Sequence, residues 1–244
     1  MDPLTTAAAS GLRARMEALD MLANNIANAS TAGFKRDGEY YSTYQDAEAA
    51  AVDGDNQLLP LVEKPWTDLA QGTLQNTGNS TDLALSGAGF FSVNGPSGPL
   101  YTRNGNFRVS ATGAVTTQEG HAVRLVGGTT LQIRPSVPVE VATDGTLTQA
   151  GATLGKLEVM DFPSGALLKQ GSTLFRPVDP KQAGKPAPAT EIHQGKLEAA
   201  NVSSPEAAAR LIVLTRQFES LQRAITIGAE MNRKAIDELA RVGS

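Results

Sequence analysis

The chain contains no cysteine, one tryptophan and two histidines, and only 5% of its 244 residues are aromatic. Without thiols it has no disulfides, no thiolate metal site and no cysteine nucleophile, and redox chemistry does not fix its compartment. His121 and His193 lie about 70 residues apart in polar sequence, neither with a partner at ligand spacing, so no metal site is expected. No Gly-x-Ser-x-Gly elbow is present to mount a serine nucleophile. Runs of about 18 apolar residues are also missing, so no membrane-spanning helix and no direct membrane insertion are expected. The start, Met1-Asp2-Pro3-Leu4-Thr5-Thr6, leads to Arg13, Arg15 and Glu17 instead of an uninterrupted apolar run, so no cleavable secretory signal is expected. Basic clusters are lacking too, and a net charge of −4 with a pI near 5.3 argues against nucleic-acid binding, which needs clustered Lys and Arg.

What is present is ordinary globular composition, 41% hydrophobic and 19% charged, in a length that suits one large domain or two small ones. Near the start, Leu12, Met16, Leu19, Ala23 and Ile26 recur at four- and three-residue steps and define a coiled-coil-like stripe. Asp2 and Pro3 read as N-cap and first helical residue, and Gly33 as a stop, predicting a helix from about residue 3 to about residue 29. At the other end Leu211, Leu214, Phe218, Leu221, Ile225, Gly228, Asn232, Ala235 and Leu239 keep the same period. Ser203 with Glu206 forms a capping box, and Ser204 with Pro205 a second start one residue later, so this helix begins near residue 204. It is on the order of 55 Å long, more than a compact domain of this size needs, so a partner outside the domain is expected to meet it.

Between the helices the pattern turns to short alternating runs: Phe91-Ser92-Val93, Leu131-Gln132-Ile133, Val139-Glu140-Val141 and Leu157-Glu158-Val159. Turn signals at Asn94-Gly95, Asn104-Gly105, Asp144-Gly145 and Ser164-Gly165 cut it into strands short enough for a barrel or sandwich. The fold class expected is mainly β with long N- and C-terminal α-helices, a barrel- or sandwich-like centre on a paired terminal-helix domain. The expected division is 1–36 N-terminal helix, 37–80 irregular or β connector, 81–180 β-rich centre, 181–202 linker and return strand, and 203–244 C-terminal helix. Ala47 to Asp55 reads as irregular, and the Pro- and Ala-rich residues 181–190 as a loop.

Motifs that begin like sites fail on inspection. Asp53-Gly54-Asp55-Asn56-Gln57 starts like a calcium loop but has Leu58 at the sixth position and Lys64 at the twelfth. Gly87-Ala88-Gly89 lacks the third glycine and the following helix of a dinucleotide fingerprint. The sequons at Asn28, Asn79 and Asn201 matter only in a glycosylating host. Trp66, Tyr40, Tyr41 and Tyr101 form no evident sugar platform, and packing is the plainer role for them. No cofactor is expected.

Two apolar-striped helices flanking a β-rich chain are an assembly pattern, since both stripes need burial away from any candidate catalytic group. Four segments carry a resemblance. They are residues 23–36, Ala-Asn-Asn-Ile-Ala-Asn-Ala-Ser-Thr-Ala-Gly-Phe-Lys-Arg; residues 71–91, from Gln71-Gly72-Thr73-Leu74 to Gly87-Ala88-Gly89-Phe90-Phe91; Tyr101-Thr102-Arg103-Asn104-Gly105-Asn106-Phe107 with Gly113 and Gly120; and Gln194-Gly195-Lys196-Leu197-Glu198-Ala199-Ala200-Asn201-Val202. Together they resemble the flagellar axial proteins, the basal-body rod protein family with its hook relatives. The Arg216-Gln217-Phe218-Glu219 wording, the Glu230-Met231-Asn232 ending and the short β region look more like the proximal-rod type than the distal-rod type. Ala200 and Pro205-Glu206-Ala207-Ala208 depart from the commoner family wording at the cap.

The resemblance implies a non-enzymatic structural subunit of the bacterial flagellar rod, exported by the flagellar type III apparatus without a cleaved signal and placed in the basal body across the periplasmic space. Its implied partners are other rod subunits and itself. The residues expected to carry assembly are Leu12, Met16, Leu19, Ala23, Asn25, Ile26, Asn28, Leu211, Leu214, Phe218, Leu221 and Ile225. The alternatives are a distal-rod or hook-type axial subunit and, from another class, a secreted β-domain carbohydrate binder or enzyme with helical extensions.

Overall fold

A computed structural model describes residues 3–38, 41–45, 58–62, 66–179 and 184–242. Asp2 as a cap, Tyr40, Ala47 to Asp55, most of the calcium-like loop, and residues 181–183 of the Pro- and Ala-rich stretch lie outside the described residues. The chain divides into two compact units, one drawn from Met1–Ala27, Asp37–Trp66 and Ser203–Ser244, the other from Asn28–Arg36 and Thr67–Val202.

The first unit holds helix α1, Pro3–Ala27, and helix α2, Ser204–Val242, which pack against one another. The Ser203 carbonyl accepts the Ala207 N–H at 2.9 Å, which makes Ser203 the N-cap and selects the first of the two predicted starts. Glu206 lies in the first turn, where a carboxylate favours the positive end of the helix dipole. The strand Leu58–Val62 also packs on α1.

α1 buries a different stripe from the one its large residues draw. Gly11, Ala14, Ala18, Leu22 and Asn25 are buried, a phase about 100° around the axis, or one residue, from Leu12, Leu19 and Ile26, which are half-buried. Met16 and Ala23 are exposed. Small side chains let neighbouring backbones come close, and the larger ones fill the shoulder beside the contact.

The second unit is antiparallel β. Its largest sheet has six strands in the order Leu167–Gln170, Leu174–Pro177, Gly98–Thr102, Phe90–Gly95, Val159–Asp161 and Lys185–Pro186. A three-stranded meander of Val139–Val141, Thr146–Gln149 and Ala152–Lys156, with several two-stranded pairs, completes it. Among the described residues no sheet closes into a barrel.

Alternation along Phe90–Gly95 explains its burial on both faces. Phe91 and Val93 enter a core with Leu85, Val123, Leu131 and Leu147, whereas Phe90 faces Tyr101, Phe162 and Phe175 on the opposite side. Leu131 to Ile133 and Leu157, expected as strand, contribute only isolated bridges, Gln132 with Ala114 and Leu157 with Leu125, while their side chains still reach the core. The turn expected at Asn94-Gly95 falls at Pro96-Ser97, because Gly95 still pairs with Gly98.

Candidate functional site

The four segments that carry the resemblance converge on one buried charge cluster in the β-rich unit. Lys35 comes from the first, Gln71, Gly72 and Gly87 from the second, Arg103 from the third, and Glu198 and Asn201 from the fourth. Lys35 Nζ donates to Glu198 Oε1 at 2.5 Å and to the Ala70 carbonyl at 2.6 Å. Glu198 Oε1 also accepts the Gly72 N–H at 2.8 Å, and its Oε2 accepts Arg103 Nη1 at 3.2 Å. Arg103 Nη2 donates to the Gly87 carbonyl at 2.6 Å, and its guanidinium lies 5.3 Å from the centre of the Phe90 ring. The side chains of Lys35 and Glu198 are 0% exposed and that of Arg103 4%.

Backbone geometry builds this convergence. Gly33 sits at φ +68°, and a Cβ there would come within 2.2 Å of the Asn104 nitrogen, so only glycine lets the segment after α1 lie against the Arg103–Asn104 turn. Gly33 N–H donates to the Glu198 carbonyl at 2.7 Å. Asn201 stitches the same region: its Oδ1 accepts the Arg36 N–H at 2.7 Å and its Nδ2 donates to the Asp68 carbonyl at 2.8 Å. Gly105, expected as a turn residue, serves close approach instead, since a Cβ would lie 1.6 Å from the Leu83 carbonyl oxygen.

Electrostatically the cluster holds two cations and one anion away from water. Burial pushes the Lys35 amine below its ordinary pKa, with Glu198 opposing that shift only in part. Burial also lowers Arg103, against the same opposing carboxylate. The Arg103 Nε has no hydrogen-bond partner among the described residues. This arrangement is structural chemistry: among the described residues, the buried side-chain polar atoms of the cluster other than the Arg103 Nε are engaged by protein. Sequence reasoning passed over these three residues because each looked like part of a turn or strand motif. No local signal sets them apart: Lys35 is followed by Arg36 and Asp37, Arg103 lies between Thr102 and Asn104, and only Glu198 has apolar neighbours on both sides.

The predicted assembly residues distribute over the first unit and the turn that follows α1. Leu214 is buried, Phe218, Leu221 and Ile225 are half-buried, and Leu211 is exposed. Asn25 is buried and turned inward, its Oδ1 accepting the Asp37 N–H at 2.9 Å and its Nδ2 donating to the Asp37 carbonyl at 2.8 Å. Asn28 is half-buried, its carbonyl accepting the Thr31 N–H at 3.0 Å. Leu12, Met16, Leu19, Ala23 and Ile26 form a half-open apolar strip on α1 beside its buried face.

Around α2, Ile212, Val213, Ile227 and Met231 are 52–65% exposed, on the flank and back of the helix relative to Leu214 and Leu221. With 39 residues against 25, α2 also outruns α1 by 14 residues. His121 Nδ1 lies 3.1 Å from the Asn94 carbonyl and His193 Nε2 3.5 Å from Glu191. Among the described residues there is no cluster of potential metal ligands and no helix long and apolar enough to cross a membrane.

Long terminal helices paired with each other, apolar faces still open on both, and a β-rich middle fixed by a buried ion cluster define an axial structural subunit. Family profiles agree in three separate places. Residues 6–35 match the flagella basal body rod protein family, 84–149 the D1 domain of the flagellar hook proteins FlgE/F/G, and 193–238 the C-terminal region of the basal body rod FlgEFG proteins. The flagellar basal-body rod protein FlgF of Caulobacter vibrioides is 34% identical, with 92% of each chain covered. FlgF of Mesorhizobium japonicum is 30% identical over 91% of each chain, and the rod protein FlgG of Bacillus subtilis 29% identical over 93% of this chain and 96% of its own. The chain belongs to the flagellar basal-body rod protein family and is a structural subunit of the rod in the flagellar basal body. No enzyme family is among these matches, and the reading as a secreted carbohydrate binder or enzyme is not favoured.

Proposed function

We propose that this subunit is of the proximal-rod, FlgF-like type and enters the drive shaft through its terminal helices, passing torque along a close-packed bundle. The observation that carries the reading is the pair of exposed apolar sites on α2, Ile212 with Val213 and Ile227 with Met231, on a helix that outruns its intrachain partner. Large apolar side chains left exposed on a long helix are a usual mark of a protein contact. Leu12, Met16, Leu19, Ala23 and Ile26 on α1 and Leu211 on α2 supply further apolar contact area. Contacts between unlike surfaces of successive subunits build a helical stack in place of a closed ring. Stiffness follows from dense packing. Partners are homologous rod subunits and further copies of this chain, reached after export through the flagellar type III apparatus into the periplasmic part of the basal body.

The test is Val213→Asp with Ile227→Asp, introduced into the native bacterium in place of the natural chain. Both positions face water, so the purified variant is expected to keep its circular dichroism and melting temperature, while isolated basal bodies lack the subunit and cells do not swim. Normal swimming would overturn the proposal. A subunit found by labelling only in the distal part of the rod would retain the helix mechanism and overturn the proximal assignment.

A further inference from the structure

The charge count in the buried cluster is unequal, and the inequality has a direction. Glu198 is the one carboxylate between two cations, Lys35 and Arg103. If the segment carrying Lys35 leaves, Glu198 still holds Arg103 and the Gly72 N–H, and the buried charge left behind is a balanced pair. If the segment carrying Glu198 leaves, Lys35 and Arg103 remain as two buried cations with no carboxylate between them, an arrangement that desolvation and repulsion both oppose.

Hydrogen bonds anchor both segments, so the direction comes from the charge count. The C-terminal segment has anchors that do not involve Asn28–Arg36: strand Lys196–Glu198 pairs with Leu74–Asn76, Ala199 N–H donates to the Thr73 carbonyl at 2.9 Å, and Asn201 Nδ2 donates to the Asp68 carbonyl. The N-terminal segment meets that segment at Gly33, Lys35 and Arg36, which bond respectively to the Glu198 carbonyl, the Glu198 carboxylate and Asn201 Oδ1. It has its own anchors too: Lys35 Nζ donates to the Ala70 carbonyl, the Arg36 carbonyl accepts the Asp68 N–H at 2.9 Å, Arg36 Nε donates to Asp68 Oδ2 at 3.0 Å, and Lys169 Nζ donates to the Lys35 carbonyl at 2.7 Å.

From the unequal buried charge we propose that the cluster is an ordered clasp: the strand bearing Glu198 seats first on Arg103 and Gly72, and the segment bearing Lys35 closes over it last. Release runs in the opposite order. The N-terminal segment opens alone, but opening of the C-terminal strand forces the N-terminal segment open with it. These two segments run directly into α1 and α2 in the chain, so the clasp sets the order in which the two ends of the β-rich unit become fixed.

Amide hydrogen exchange on the full chain tests this, with Gly33 and Arg36 reporting the first segment, Ala199 the second, and Val123 and Leu131 the β core. Lys35→Met is expected to speed exchange at Gly33 and Arg36 at least tenfold while leaving Ala199 within about threefold of wild type. Glu198→Leu is expected to speed all three by on the order of a hundredfold or more. Adding Lys35→Met to Glu198→Leu removes one stranded cation and is expected to slow Ala199 again, where independent packing losses would add. Glu198→Gln serves where the leucine variant loses protection at Val123 and Leu131. The proposal is overturned if Lys35→Met opens Ala199 as much as Glu198→Leu or Glu198→Gln does, or if the double variant is more open than Glu198→Leu alone.

Discussion

Replacing Glu198 by leucine asks how much of the β-rich unit depends on one side chain. The carboxylate is fully buried and accepts three hydrogen bonds, from Lys35, Gly72 and Arg103. Leucine is close in volume, so the cavity contribution is small and the loss is electrostatic. Two cations are left desolvated and facing each other, and the Gly72 N–H loses its acceptor. Removing one partner of a buried ion pair costs about 3–5 kcal/mol. For a domain of this size each kcal/mol moves the melting temperature by about 2–4 °C, so a fall of roughly 6–20 °C is expected. Glutamine retains the acceptor for Gly72 and removes only the charge, so its fall is expected to lie between wild type and leucine. Thermal unfolding followed by far-ultraviolet circular dichroism measures all three. A leucine variant melting within about 2 °C of wild type would refute the view that this carboxylate balances buried charge.

Other perturbations test other parts of the structure. Asn25→Ala removes the hydrogen bonds to the Asp37 N–H and carbonyl and is expected to cost about 1–3 kcal/mol in urea unfolding, with faster exchange at Asp37. Ala18→Leu forces a large side chain onto the fully buried face of α1 and is expected to cost about 1–3 kcal/mol, read as faster proteolysis of the helices; wild-type resistance would count against close packing there. Because Lys35 titrates lower in the folded chain than its unfolded 10.5, the unfolded chain binds more protons between the two values. Wild type is therefore expected to gain stability relative to Lys35→Met as pH rises through that window, and an unchanged or falling difference in urea midpoints would contradict the assigned burial.

The helices were legible because amphipathic period and capping chemistry are local. Ser203, Pro205 and Glu206 mark the start of α2, and the Leu214, Phe218, Leu221 and Ile225 stripe marks a face that becomes wholly or partly buried. The phase on α1 was not legible. Large apolar residues draw the eye to Leu12, Met16 and Leu19, but burial there goes to Gly11, Ala14 and Ala18, and hydrophobicity alone cannot distinguish a tight contact from its shoulder. Strand identity was readable at Phe91 and Val139, where alternation runs unbroken, and was lost at Leu131, a core residue whose backbone bonds to Val123 and Val115 extend into no ladder.

The charge cluster was hidden for a different reason. Lys35 and Glu198 are 163 positions apart, and no local pattern encodes a contact across that span. Each residue is unremarkable in its own neighbourhood: Lys35 follows a phenylalanine, Arg103 opens a turn, and Glu198 sits in a short strand. Their burial shows why these charges are confined to the motif segments and placed beside glycines. A charge that must leave water needs a partner already in position, so the backbone around it has to be fixed first. Gly33 lying against the Asn104 nitrogen and Gly72 donating to Glu198 provide that fixed backbone. In this chain the glycines and the charges of the four motifs are therefore one device, and a substitution at Gly33 that pushed Lys35 away should reproduce the Lys35→Met exchange pattern without altering any charge.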